Sequence, residues 1–589
     1  MFKRANKITS LLVAAASVMA LVPAYAADVK KVDSEDGTVY NAVAYKDGKF
    51  YVDGEINDDE EAYYVADGKM NKLEDVDSGD DAVLFGEKYL DISDGDYTVD
   101  LDKGSVTDDD VKGDTADDAA SALRKKAKDD TDDRYLDKGT NSTDTVKDEN
   151  KTDDFKADEL NIIPGAKYSE PWYATTFAKG DGSTANGAAD SFNVFTDTKG
   201  NYIDADYNLG KIKVGTTGDS VNVENTNDKY DLKGIDDVLT AKVRNSVVLT
   251  QDKDYIYRKA EVTLTIDTTK TGASDLKITT INGVKISGTT SALGTADAAS
   301  VTFNVVQKIS KAQASGDVDG AKYAKSVTTY VISDDKGVAN DDYTIVTDAT
   351  NFAHTKYTVA GGKLIAYNTV DDSNANKKVT ARAYSLKTSG GYYYLDAEDK
   401  SSEDCETKDD VAAVQTDVDG NLWRLDGGYI YKFDNTDDWD KVYKVDGSFD
   451  ELQVYDKDNM VAWSEDDDVY SLIGGKSADD NKGNDTPAVT AGWTQTSAGW
   501  TYTKADGTKA TGWLQDGGAW YYLKADGVMA TGWVQDGATW YYLNGSGAMQ
   551  TGWFNDNGTW YYLNGSGAML ANTTTPDGYY VGANGAWVK

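Results

Sequence analysis

Large apolar residues along this chain fall in short runs that alternate with polar ones, and the runs break at Asp-Gly and other glycine-bearing turns. Successive side chains of a strand point to opposite faces, so period-two alternation predicts many short, half-buried strands. Val43-Ala44-Tyr45-Lys46 and Lys49-Phe50-Tyr51-Val52 flank Asp47-Gly48, which predicts a hairpin inside a small β-domain over residues 27–104. The pattern fades over 105–159, where Asp, Lys and Thr dominate. That composition buries too little surface to offset its ordering entropy, so an acidic, largely disordered linker is expected, with one short helix capped by Thr115. Alternation returns over 160–399 in strand after strand, such as Val238–Val243, Ala260–Ile266, Val301–Val306 and Val327–Ile332. Spacing and alternation predict one or two β-sandwich-like domains. Over 400–475 the strands shorten onto tight Asp/Gly turns, which predicts a β-meander domain, part of a propeller-like sheet and too short for a whole propeller. Residues 476–490 read as a polar linker.

The last stretch, 491–589, repeats itself: TGWLQDGGAWYYLKADGVMA, TGWVQDGATWYYLNGSGAMQ, TGWFNDNGTWYYLNGSGAML. Trp513, Trp533 and Trp553 are twenty residues apart, and Trp520, Trp540 and Trp560 keep the same step. A short fixed period predicts a solenoid of stacked units. Taking Asp516-Gly517 as a two-residue type I′ turn pairs Trp513 with Trp520 across the hairpin, with Tyr522 on the same face. Asp536-Gly537 does the same for Trp533, Trp540 and Tyr542. Stacking then brings the first Trp of the next hairpin over each pair, giving cages of Trp513, Trp520 and Trp533, and of Trp533, Trp540 and Trp553, with Met529 and Met549 leading into the next unit. Aromatic faces attract quaternary ammonium groups at about 0.5–2 kcal/mol per ring. Three rings give roughly millimolar affinity, and tandem sites on a polymer add about 10²–10⁴ through effective concentration. The bland alternative is that the rings are only the solenoid's core.

The pattern GW-x6-WYYLNGSGAM resembles the cell-wall-binding repeat of Gram-positive surface proteins, the choline-binding type. The resemblance implies a β-solenoid with sites between successive repeats, a ligand that is choline on teichoic acid or a related wall glycan, and two chains pairing through the exposed solenoid ends. Two departures stand out: Trp493 and Trp500 flank Thr496-Ser497 rather than an Asp-Gly turn, and Thr573 stands where the next GW tryptophan would fall.

Composition narrows the function further. A net charge of −41 and a pI of about 4.3 disfavour nucleic acid, which needs a basic footprint, and anionic lipid. Residues 1–26 have the form of a signal peptide: basic Lys3, Arg4 and Lys7, an apolar core, then Ala24-Tyr25-Ala26. No other apolar run is long enough to span a membrane, and no sorting tail follows the repeats, so non-covalent attachment is expected. One histidine, His354, and one cysteine, Cys405, cannot furnish a zinc site, and neither sits in a catalytic signature. A glycosidase needs only two carboxylates, which this sequence does not exclude. Calcium is the ion to consider: Asp317 and Asp319, and Asp417, Asp419 and Asn421, resemble the start of a calcium loop, although a plain Asp-Gly turn explains each. The expected protein is mostly β, with β-sandwich-like and β-meander domains before a C-terminal β-hairpin solenoid. It is expected to be secreted, held on a cell wall by aromatic cages, structural or adhesive and without cofactor. The alternative is a carboxylate-based wall hydrolase targeted by the repeats.

Overall fold

The computed structural model describes residues 29–131, 134–136, 160–165, 167–179, 191–287, 291–343, 346, 354–369, 377–474, 492–496, 499–504, 509–516, 519–524, 527–537, 539–556 and 558–588. The signal-peptide expectation and the 476–490 linker lie outside them. The chain divides into two compact units, 1–480 and 481–589.

Within the first unit, tight turns build four-stranded meanders. Residues 38–72 form one such antiparallel sheet. Two of its hairpins close on Asn57-Asp58, at φ 58° and 69°, and Asp67-Gly68, at φ 51° and 70°. Asn, Asp and Gly tolerate these left-handed conformations, and such turns match the right-handed strand twist. Residues 82–107 form a second sheet of the same kind.

The segments 27–104 and 400–475 are not separate domains. Glu35–Asp36 pairs with Tyr470 and Val469 and so completes the sheet of strands 451–473. Lys30–Lys31 pairs in parallel with Tyr443 and Lys444 at the edge of the 414–444 sheet. Shared cores then join the sheets in order. Tyr45 and Tyr64 of the 38–72 sheet pack with Leu90 and Leu101 of its neighbour. Val39 and Val65 pack with Val461 and Leu472. Leu452 and Met460 pack with Trp423 and Ile430, and Leu422 and Phe433 with Ile365 and Ala381. This succession of meanders joined by shared cores draws its sheets from both ends of the unit. The sequence pattern located the strands and not their partners, because a four-hundred-residue separation leaves no local trace.

The sandwich expected over 160–399 is present in part. Leu209, Val214 and Ile281 from one four-stranded sheet face Ala241, Val262 and Phe303 from a ten-stranded sheet. The far end of that long sheet, 356–404, instead packs on the 414–444 meander.

The expected disordered linker is ordered in its described part. Ser105–Thr107 completes the 82–107 sheet, and Val111–Asp130 is a helix of 20 residues. Its N-cap is Asp110, whose carboxylate accepts from Gly113 N–H at 2.7 Å, and not Thr115, which lies inside the helix. The helix buries Ala119, Ala120, Leu123 and Ala127 against Tyr135, Phe177 and Phe192. Apart from Leu123 its buried side chains are alanines, so composition alone hides the burial; the large rings come from strands. Residues 137–159 lie outside the described residues.

Candidate functional site

The second unit consists of hairpins whose two strands are nearly identical from repeat to repeat. In the second hairpin Trp513 pairs with Tyr522, Gln515 with Trp520, and Asp516 with Ala519. Asp516 therefore lies in the strand rather than at the centre of the turn, and Trp513 faces Tyr522 rather than Trp520. The next two hairpins repeat this register, with Trp533 opposite Tyr542 and Trp553 opposite Tyr562. The pairing moves by two positions, so every side chain keeps the face predicted for it. Trp513, Trp520 and Tyr522 still share one face.

Holding Asp516 in the strand frees its carboxylate. The indole N–H of Trp493 donates to Asp516 Oδ2 at 2.9 Å. Trp513 donates to Asp536 at 3.0 Å, Trp533 to Asp556 at 2.9 Å, and Trp553 to Asp577 at 2.7 Å. Each GW tryptophan is thus pinned to the turn aspartate of the following unit. Hydrogen bonds from Thr575 and Trp553 hold the Asp577 carboxyl below its usual range.

Ring contacts define what stands next to each tryptophan. Trp513 packs edge-on against Tyr522 at 5.1 Å and against Tyr541 of the next hairpin at 4.7 Å. Trp533 does the same with Tyr542 at 5.3 Å and Tyr561 at 4.9 Å. Among the described residues no ring contact joins Trp533 to Trp513 or Trp520. The wall contributed by the next hairpin is a tyrosine, and sequence reasoning missed it. Tyr541 and Tyr561 lie on the reverse face of their own hairpin, so the hairpins stack front to back and the reverse face of one closes the front of another.

The second tryptophans are held differently. Trp500, Trp520, Trp540 and Trp560 are 38–44 % exposed. Trp540 lies 6.4 Å from Trp533, and Trp560 lies 6.5 Å from Trp553, both near perpendicular. Exposing so large a ring at the same place in every repeat is unfavourable unless something covers it. Their backbones are fixed by the linker methionines. Met529 N–H donates to Trp500 O at 2.7 Å, and Met549 N–H to Trp520 O at 2.8 Å. The methionine side chains seat on glycines: a Cβ on Gly547 would meet Met529 Sδ at 2.3 Å, and one on Gly567 would meet Met549 Sδ at 2.3 Å. The repeated site is therefore a corner of near-perpendicular rings, seen in full as Trp533, Trp540 and Tyr561; in the preceding copy Trp513 meets Tyr541, with the exposed Trp520 on the same face of the hairpin. The degenerate first repeat keeps the contact between its GW tryptophan and the next hairpin's tyrosine, since Trp493 packs on Tyr521 at 4.9 Å.

Elsewhere, side chains considered for chemistry serve the fold. Asp417 Oδ1 accepts from the backbone N–H of Asp419 and Asn421, and its Oδ2 accepts from the Trp423 indole at 2.8 Å. Asp319-Gly320 is a hairpin turn, with φ of 47° and 80°, and Gly320 N–H donates to Asp317. Among the described residues no group of three or more acidic, His or Cys side chains converges as a metal site would. Burial, aided by Asp426 and Asp404, pushes the Cys405 thiol up to about 11. His354 is exposed. No described helix is long and apolar enough to cross a membrane.

The repeats match two family models, the cell wall binding repeat at 511–529 and 531–549 and the choline-binding repeat at 549–587. No curated protein is detectably similar to the chain. Among solved structures, a choline-binding domain from Streptococcus pneumoniae is 52% identical over 14% of this chain and 96% of that one, with a TM-score of 0.13. Choline binding protein F from Streptococcus pneumoniae is 28% identical over 37% of this chain and 78% of that one, at a TM-score of 0.17. A multimodular pneumococcal cell-wall endolysin from phage Cp-1, complexed with choline, is 26% identical over 20% of this chain and 42% of that one, at a TM-score of 0.14. The repeats carry the assignment of this part of the chain: residues 511–587 are cell-wall-binding repeats of the choline-binding type.

Proposed function

We propose that the repeats hold this protein non-covalently on a cell-wall polymer by seating its quaternary ammonium groups in the ring corners, and that the first unit is a structural or adhesive module displayed from the wall. One observation carries the reading: Trp500, Trp520, Trp540 and Trp560 stay exposed at equivalent positions beside pinned partner rings. A cation over perpendicular aromatic faces gains from several quadrupoles at once, and tandem corners on a polymer multiply weak sites into firm retention. Choline-substituted teichoic acid is the polymer whose chemistry fits best, and it places the protein at the cell surface. Retention of the full chain on choline-bearing walls, followed by elution with free choline, tests this. Retention that free choline does not disturb would point to a glycan ligand instead.

The hydrolase alternative has one specific candidate. Burial pushes the Glu451 carboxyl up to about 7, with help from the Asp450 and Glu465 charges. A protonated carboxylic acid beside a second carboxylate is what glycoside hydrolysis requires. Glu451, however, sits across the sheet from Trp463 at a strand end packed within the 451–473 meander. We therefore assign no reaction to the chain. Zymography on purified walls checks this: a clearing band lost in Glu451→Gln would restore the enzyme reading.

A further inference from the structure

One face of the 414–444 sheet is only half covered. Cross-strand pairing aligns Arg424, Tyr431 and Lys441 in one row and Asp426, Tyr429 and Lys444 in the next, all on that face. Toward one end the same face is apolar, and Leu422, Phe433 and Trp439 pack on Ile365 and Ala381. Toward the other end the cover stops. Tyr429 and Tyr431 are half-buried there, and Lys441 and Lys444 are exposed.

The two lysines converge. The Lys441 ammonium lies 3.8 Å from the centre of the Tyr429 ring, and that of Lys444 lies 5.9 Å from the same centre. The nearby acids are already engaged: Arg424, itself 3.9 Å from the centre of the Tyr431 ring, has Asp426 at 3.4 Å and Glu403 at 3.7 Å. Among the described residues neither Lys441 nor Lys444 forms an ion pair, although the chain has 101 acidic residues against 60 Lys and Arg. Lys31, which keeps Asp33 at 2.9 Å, stands in register with Lys444 and extends the strip to the sheet edge. Two ammonium groups gathered over one ring repel each other, and an anion that reaches both gains from each.

We propose that Lys441 and Lys444 form an anion site for the phosphate groups of a phosphodiester-linked wall polymer, a second contact separate from the repeat corners. The ring faces here are taken by the protein's own cations, so what the strip offers a ligand is ammonium N–H, which matches phosphate oxygens. The net charge of −41 repels a polyanion at long range. That field is screened over about 8 Å at physiological salt, so the contact answers to the local pair. The inference takes the polymer from the proposed function, while the site uses none of the corner residues.

Titrating the full chain with choline-free poly(glycerol phosphate), in saturating choline and at constant ionic strength, tests it. The double variant Lys441→Gln, Lys444→Gln stands beside Lys378→Gln, Lys387→Gln, which removes the same charge from lysines already paired with Asp404 and Asp396. The wild type should bind, and less tightly at raised salt. The first double variant should weaken binding by about two- to thirty-fold, the range two exposed ion pairs supply, and the second should leave it unchanged. A wild type that does not bind the polymer, or equal weakening in both double variants, would overturn the site. Tighter binding to phosphatidylglycerol vesicles than to the polymer would move the site to a membrane and overturn the polymer assignment. A tryptophan response to choline without polymer binding would overturn the lysine pair alone. Polymer binding without a choline response would leave the pair standing and overturn the corners.

Discussion

The indole N–H of Trp533 donates to the carboxylate of Asp556, in the following hairpin, at 2.9 Å. The bond joins two repeats and fixes the rotamer of a ring that lines the candidate site. Stability of the solenoid and geometry of the ligand corner are therefore set by the same atoms.

The equivalent bond from Trp513 makes Asp536 a positioning residue. Asp536→Ala removes the acceptor and should cost about 1 kcal/mol of stability, the net worth of an ordinary hydrogen bond. It should also weaken choline at the Trp513, Trp520 and Tyr541 corner several-fold. Asp536→Asn keeps an acceptor oxygen and should preserve both. Thermal melts and titrations on the three chains check this.

Gly567 has φ +81°, and a Cβ there would lie 2.3 Å from Met549 Sδ. Gly567→Ala should destabilise the second unit by about 1–3 kcal/mol, combining backbone strain with a displaced methionine. Gly545, with open space around its Cβ position, is the control: Gly545→Ala should be near neutral in the same near-ultraviolet melt.

The predicted strands were legible because alternation is local, and the repeat faces were legible because a twenty-residue period is strict. The hairpin register was not legible, because Asp516 satisfied the turn rule equally well at the turn centre or at the strand end. What decides between the two is Trp493, a residue in another hairpin. Tyr541 was missed for the same reason: its partner Trp513 lies outside its own repeat. The helix at 111–130 was hidden by its alanines, whose burial depends on Tyr135, Phe177 and Phe192.

Long-range closure of the first unit gives the next expectation. Val32 is 6 % exposed within a core shared with Trp423 and Tyr443, and Ser471 Oγ donates to Asp33 O at 3.0 Å. A chain beginning at Thr38 loses these contacts and the Glu35–Asp36 strand. It should melt lower by at least about 2 kcal/mol in stability, the worth of one buried valine plus an exposed sheet edge. An unchanged melting temperature of the first unit would show that the closure carries no energy.

Glu451 sets a pH dependence. Its folded value of about 7 lies above its ordinary 4.5, so its contribution is fully present below 4.5 and is lost as pH rises through 7. Glu451→Gln removes the ionisable group. The variant should gain roughly 1 kcal/mol on the wild type at pH 8, a figure lowered for the group's partial exposure, and match it at pH 4. Denaturant titrations at the two pH values read the difference.

The central claim is that the exposed tryptophans are binding surfaces. Titrating the full chain with choline while following tryptophan fluorescence tests it most directly, with the double variant Trp520→Ala, Trp540→Ala alongside. The account predicts saturable quenching at roughly millimolar choline in the wild type and a reduced amplitude in the double variant, with both chains folded. A folded wild-type chain whose fluorescence does not respond to choline, or a double variant that responds as fully as the wild type, would contradict it.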